Sequence, residues 1–116
     1  MTEPELYMPK EEVYTALNAL GYSCTQGSQS VFNETPAITF YISDNSPTYD
    51  LDKKIVGQEV EMTVDVWGDD SVTTTSVAQE AEDAMREIDY LLTYLADIPS
   101  PEGALYHIQM RFVGIK

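Results

Sequence analysis

Residues able to do chemistry are sparse in this chain of 116 residues, which holds one histidine, His107, and one cysteine, Cys24. An imidazole titrates near neutral pH and suits general-base work. No nucleophile stands at a spacing from His107 that implies a shared site, so it reads as a strand histidine near a sheet edge. Cys24 has no basic neighbour in sequence to lower its pKa, and it reads as a loop cysteine without a chemical role. The closest acidic clusters are Asp50 with Asp52 and Asp69 with Asp70. Neither supplies the alternating oxygen ligands and glycine turn of a calcium loop, and Asp69-Asp70 reads as a turn and helix entry. The sequence has no Gly-rich phosphate loop, no His–Glu metal spacing, no CxxC and no GxSxG elbow. The expectation is therefore no catalytic residue, no metal site and no cofactor. Binding is a different matter. Eight tyrosines stand against three phenylalanines, and aromatics with a polar tip suit surfaces that are wet at one edge. Tyr41, Tyr49, Tyr94 and Tyr106 are candidates for such contacts or for the rim of a small core. Trp67, among acidic residues, reads as a binding anchor or as a rim aromatic.

Composition narrows the functional classes. Twenty acidic residues against six Lys plus Arg give a formal net charge of −14. That balance is wrong for a conventional nucleic-acid binder, which needs a basic face to displace counterions, and for electrostatic attachment to an anionic membrane. No apolar run approaches the ~20 residues that span a bilayer. The N-terminal stretch MTEPELYMPKEE has no apolar core of a secretory signal, and a lone cysteine forms no internal disulfide, so a reducing compartment such as a cytoplasm is expected. A hydrophobic content of 43% argues against intrinsic disorder.

The elements that must position these residues follow from periodicity. Val13, Leu17 and Leu20 recur at helical spacing in a helix from Pro9 to Leu20, with Gly21 to stop it. Tyr22 to Pro36 reads as a loop, with a short strand around Val31-Phe32. Ala37 to Ile42 is a strand. Ser43 to Gly57, rich in turn formers, reads as a long mobile loop. In the strand Gln58 to Trp67, Val60, Met62, Val64 and Val66 face one way, and Glu59, Glu61, Thr63, Asp65 and Trp67 the other. A helix opening at Thr75 or Ser76, where Ser76 and Gln79 fit a capping box, runs to about Ala96 on the stripe Val77, Ala81, Ala84, Met85, Ile88, Leu91, Leu92 and Leu95. Pro99 and Pro101 close it. Leu105 to Ile115 is the last strand, with Tyr106, Ile108, Met110 and Phe112 on one face and His107, Gln109 and Arg111 on the other. The fold expected is one α+β domain over residues 1–116, in the order helix-strand-long loop-strand-helix-strand. Its small, mainly antiparallel sheet is covered on one face by two helices, and residues 1–8 are loosely ordered.

Three stretches carry a resemblance: Pro36 to Tyr41 (PAITFY), Val64 to Gly68 (VDVWG) and Tyr106 to Phe112 (YHIQMRF), with the run AMREIDYLL before the last. In order and spacing they resemble the small tail completion proteins of long-tailed bacteriophages and Gram-positive prophages, also called head–tail joining or tail terminator proteins. The resemblance spans residues 10–114. The loop from Asp97 to Ala104, with two prolines, departs from the more varied turn of that family. The resemblance implies a virion protein of the tail or neck, made in the host cytoplasm. It would form a ring, commonly a hexamer, at the head-proximal end of the tail tube. Its partners would be further copies of itself, the tail tube protein and a head connector or stopper protein. DNA would pass through without being gripped, and no catalysis, cofactor or membrane would be involved.

The residues are compatible with that role. Carboxylates facing a lumen repel phosphates and let a duplex slide, and Glu59, Glu61 and Asp65 on one strand face are candidates for a lumen lining or for a solvated outer face. Tyr41, Tyr49, Lys53, Lys54 and Trp67 are candidates for a subunit or partner interface, with the two lysines placed to meet acidic patches on a neighbour. The alternative is an acidic DNA mimic or other protein-binding module.

Overall fold

The computed structural model describes residues 8–27, 35–99 and 105–116. The elements run α1 (Pro9–Asn18), β1 (Ser23–Gln26), β2 (Ala37–Tyr49), β3 (Ile55–Gly68), α2 (Ser71–Glu87), β4 (Tyr90–Ile98) and β5 (Tyr106–Ile115). The strands form one mixed sheet in the order β1-β2-β3-β5-β4. β1 pairs parallel to β2, and every other pair is antiparallel. Both helices lie on one face, giving the small α+β architecture expected.

The core is built on β3. Val60, Met62, Val64 and Val66 are all fully buried, as the alternation in the sequence requires. They pack with Ile38 and Phe40 of β2 and with Ile108, Met110 and Phe112 of β5, under Val13 and Leu17 of α1 and Val77, Ala81 and Met85 of α2. Each Val, Leu, Ile, Met or Phe side chain among them contributes about 1.5–3 kcal/mol on leaving water. Tyr106, assigned to the same face, is exposed at the strand's start.

Three expectations are corrected. Ser43 to Gly57 is not a long mobile loop: β2 continues to Tyr49 and β3 begins at Ile55, so the segment is a hairpin. Its turn is organised by Asp50, whose Oδ1 accepts from the backbone N–H groups of Asp52 (2.8 Å) and Lys54 (3.0 Å), while Lys53 takes a positive φ of 64°. An aspartate bonding to the amides that follow it makes a turn without glycine. Second, the long helix opens earlier than Thr75 and ends at Glu87. Asp70 is its N-cap, accepting from Thr73 N at 2.7 Å. Asp89, at φ 67°, then breaks the chain direction, and residues 90–98 form β4 rather than a continuation of the helix to about Ala96. Third, the segment read as a loop after α1 contains β1, whose Ser23, Cys24, Thr25 and Gln26 pair with Ala37, Ile38, Thr39 and Phe40. Val31-Phe32 and all but Met8 of residues 1–8 lie outside the described residues.

Two close contacts fix how the elements meet. At Gly68, the end of β3, the Thr74 side chain of α2 occupies the space a Cβ would need. Gly114 of β5 sits opposite Tyr90 of β4, and a Cβ there would lie 2.8 and 2.9 Å from Tyr90 ring carbons. Tyr90 is fully buried and has no room to yield. Gly114→Ala should therefore cost about 1–3 kcal/mol, read as a lower denaturation midpoint with an unchanged m-value.

The Asp70 cap gives a pH signature. The Thr73 N–H bonded to its carboxylate holds the pKa below the ordinary carboxylate value. A lowered folded pKa means that the stabilisation is complete above the unfolded value and is lost as pH falls through the folded one. Asp70→Ala should thus melt at a lower temperature than the unaltered chain at pH 7, and the gap should narrow below about pH 4.

Candidate functional site

The sheet face without helices carries a polar seam. The register sets Thr39, Asp65 and Gln109 in one row across β2, β3 and β5, with Trp67 beside His107 in the next. Asp65 is only 2% exposed. Its Oδ1 lies 2.6 Å from His107 Nε2 and accepts from Gln109 Nε2 at 3.3 Å. The His107 ring stacks on Trp67, with centroids 3.7 Å apart and planes 13° from parallel. Trp67 reaches across to β2, where Nε1 donates to Thr39 Oγ1 at 3.0 Å. Further along, the hydroxyls of Ser43 and Thr63 bond to each other. Ser43 is the extra residue of a β-bulge between Ile42 and Asp44.

This seam joins some of the sequence candidates and separates others. Trp67 and Tyr41 lie on the seam face, whereas Tyr49, Lys53 and Lys54 lie at the far end of the β2–β3 hairpin. The five do not form one surface. Asp65 is corrected as a lumen-lining candidate, because its carboxylate is buried and held by His107 and Gln109. Glu59 is exposed and Glu61 half-buried. Glu61 pairs with Asp44 across the hairpin, so the acidic strip on this face is Asp44, Glu59 and Glu61. Asp44 was hidden in the sequence by its assignment to a loop.

The seam offers little for catalysis. Asp65 orients His107, but among the described residues no hydroxyl or thiol hydrogen-bonds the imidazole, and a nucleophile–base pair requires that contact. Cys24 packs against the core, and burial pushes its thiol up to about 11, which leaves almost no thiolate at neutral pH. No group of three His, Cys, Asp or Glu among the described residues is placed to hold a metal ion. No described helix is long and apolar enough to cross a membrane.

The feature that sequence reasoning missed is the open edge at β4. Its assignment to a helix hid the fact that Leu91, Leu92, Tyr94 and Leu95 are exposed. Leu91, at 64% exposed, and Tyr94 lie on the seam side, where the Arg111 guanidinium sits 4.6 Å over the Tyr94 ring. Leu92 and Leu95 lie on the helix side, beside α2. Only Asp97 is charged in this nine-residue strand. Edge strands that stay unpaired are normally shortened or protected by charges, Pro or a bulge. β4 has a bulge at Thr93, between Leu92 and Tyr94, but no lysine or proline. The opposite edge, β1, has four residues.

Comparison with protein-family models and with curated proteins yields no match.

Breaking the seam should be measurable apart from any partner. Asp65→Ala leaves His107 and Gln109 without their shared acceptor, and should cost about 1–3 kcal/mol in denaturant unfolding followed by the fluorescence of Trp67.

Proposed function

We propose that this chain is a structural subunit of a tailed bacteriophage or prophage. It forms a ring at the head-proximal end of the tail tube, completes the tail and joins it to the head, and DNA passes through the ring. Assembly rather than catalysis is the role. The observation that carries the reading is the apolar edge strand β4, whose outer side pairs with no strand among the described residues. A strand of nine residues with four large exposed apolar side chains is a pairing surface, and a subunit that must associate needs one. Two further features support it. The three stretches that resemble tail completion proteins lie on the adjoining strands β2, β3 and β5. The acidic strip of Asp44, Glu59 and Glu61 suits a surface past which DNA moves without adhesion. The partners in this reading are further copies of the chain, the tail tube protein and a head connector or stopper.

Disruption of the gene in the phage or prophage that carries it, followed by negative-stain electron microscopy of the lysate, tests the proposal. The expected result is DNA-filled heads lying apart from tails, and tails of uncontrolled length would assign termination specifically. Normal infectious particles would overturn it.

A further inference from the structure

The β2–β3 hairpin projects as an arm. β5 accompanies β3 only as far as Glu59, with Lys116 N and O bonding Gln58 just beyond. Beyond Gln58, among the described residues, β2 and β3 pair only with each other, and the molecule measures 55 × 24 × 22 Å. The arm ends in Tyr49-Asp50-Leu51-Asp52-Lys53-Lys54. Leu51 is fully exposed and Tyr49 and Val56 are more than half exposed. Asp50 is engaged by the turn amides. The side chains of Lys53 and Lys54 meet no carboxylate among the described residues, although acids outnumber bases in the chain by 20 to 6.

At the other end of the molecule, a groove of about 340 Å³ runs between α2 and β4. Ala78, Leu92, Leu95 and Ile108 form its walls, and Glu82 and Asp97 stand at its rim. Glu82 also contacts Arg86 at 3.2 Å, whereas Asp97 meets no cation among the described residues. An apolar groove with acidic rims matches an exposed Leu51 that has Lys53 and Lys54 two and three residues on, with Asp52 between them and Asp50 held by the turn amides.

The arm cannot reach the groove of its own chain. Ile108 pairs with Val66, and Val66 is eleven residues along β3 from Ile55, at the root of the tip. At about 3.3 Å per residue that is ~35 Å of rigid strand pointing away from the groove. An arm tip seated in this groove must come from another molecule. We infer that the arm tip of one copy, through Leu51, Lys53 and Lys54, docks in the α2–β4 groove of the next copy. A tip-to-groove contact is heterologous and repeats head to tail, the kind of interface that closes into a ring when the rotation permits. This inference rests on the ring reading and names the contact that would build it.

Cross-linking between two differently marked chains tests it. L51C and L95C chains are prepared separately, mixed at millimolar concentration and oxidised. Cys24 stays in both, because its half-buried thiol reacts slowly, and the unaltered chain serves as the blank. The mixed L51C–L95C adduct should exceed either like-with-like adduct by about tenfold. Adding K53E and K54E to the L51C chain, or E82K and D97K to the L95C chain, should each lower the mixed yield by about tenfold, and combining both reversals should restore it. All four charged positions are exposed or half-buried on the surface, so loss followed by restoration separates docking from misfolding. A dominant L95C–L95C adduct, expected of two-fold β4 edge pairing, would overturn the inference. So would a dominant L51C–L51C adduct, absence of any adduct, or indifference to the charge reversals. If the adduct fails while the disrupted phage loses its head–tail joint, the ring reading stands and this contact falls. If the adduct forms and the phage is unaffected, the contact stands and the virion role falls.

Discussion

Everything in this molecule is registered to β3. It is hydrogen-bonded along both edges, to β2 and to β5, and it contributes to both faces of the sheet. Its even-numbered residues from Val60 to Val66 form the centre of the apolar core. Its odd-numbered Thr63, Asp65 and Trp67 form the centre of the polar seam. A slip of one residue would exchange the two sets, driving a carboxylate beneath the helices and four apolar side chains into the place of the seam. The seam therefore reinforces the register that the core demands. Asp65 finds His107 and Gln109, and Trp67 finds Thr39, only in the native alignment.

The unhelixed face shows how a two-layer protein handles polar groups at the centre of a sheet. Thr39, Thr63 and Asp65 are nearly inaccessible, and burial without partners would be costly. Here each has a side-chain bond, and no buried side-chain polar atom among the described residues lacks one. Lys116 plays a comparable role at the other side. Its ammonium donates to Ile88 O at 2.5 Å and to Glu12 Oε1 at 3.3 Å, and it lies 4.5 Å over the Tyr90 ring. One cation thus ties α1, the end of α2 and the start of β4 in a chain with few cations.

The parts legible in the sequence were those with a clean period. The alternation in β3, the Val13–Leu17 spacing of α1, and the Val77, Ala81 and Met85 stripe of α2 all lie where periodicity puts them. The errors have physical causes. Ile88, Leu91, Leu92 and Leu95 fit a helical stripe as well as they fit a bulged strand, and the break between the two states is Asp89 with a positive φ. Aspartate adopts that region more readily than most residues, but its presence does not announce it. The arm reads as a loop in the sequence because its turn formers are spread over fifteen residues. The organising bond, from Asp50 to two amides, is visible only once the strands are paired. β1, four small polar and sulfur-bearing residues, has no pattern of its own and exists because the edge of β2 accepts it. Of the candidate site residues, Trp67 and the two lysines were legible as types. Burial of Asp65 was not, since alternation assigns a face but does not say what a neighbouring strand places on it.

The separation of arm and core divides the chain into two regimes of constraint. Residues 48–57 pair with one another and contribute nothing to the buried cluster, so the volume and shape rules governing Val64 or Met110 do not reach them. Side chains at the tip other than Asp50, which shapes the turn, can be exchanged, lengthened or recharged while the scaffold that presents them is unaltered. A lineage of such chains could change what it binds by rewriting the ten residues 48–57, and the record of that change would appear as fast divergence at one end of a slowly varying sheet.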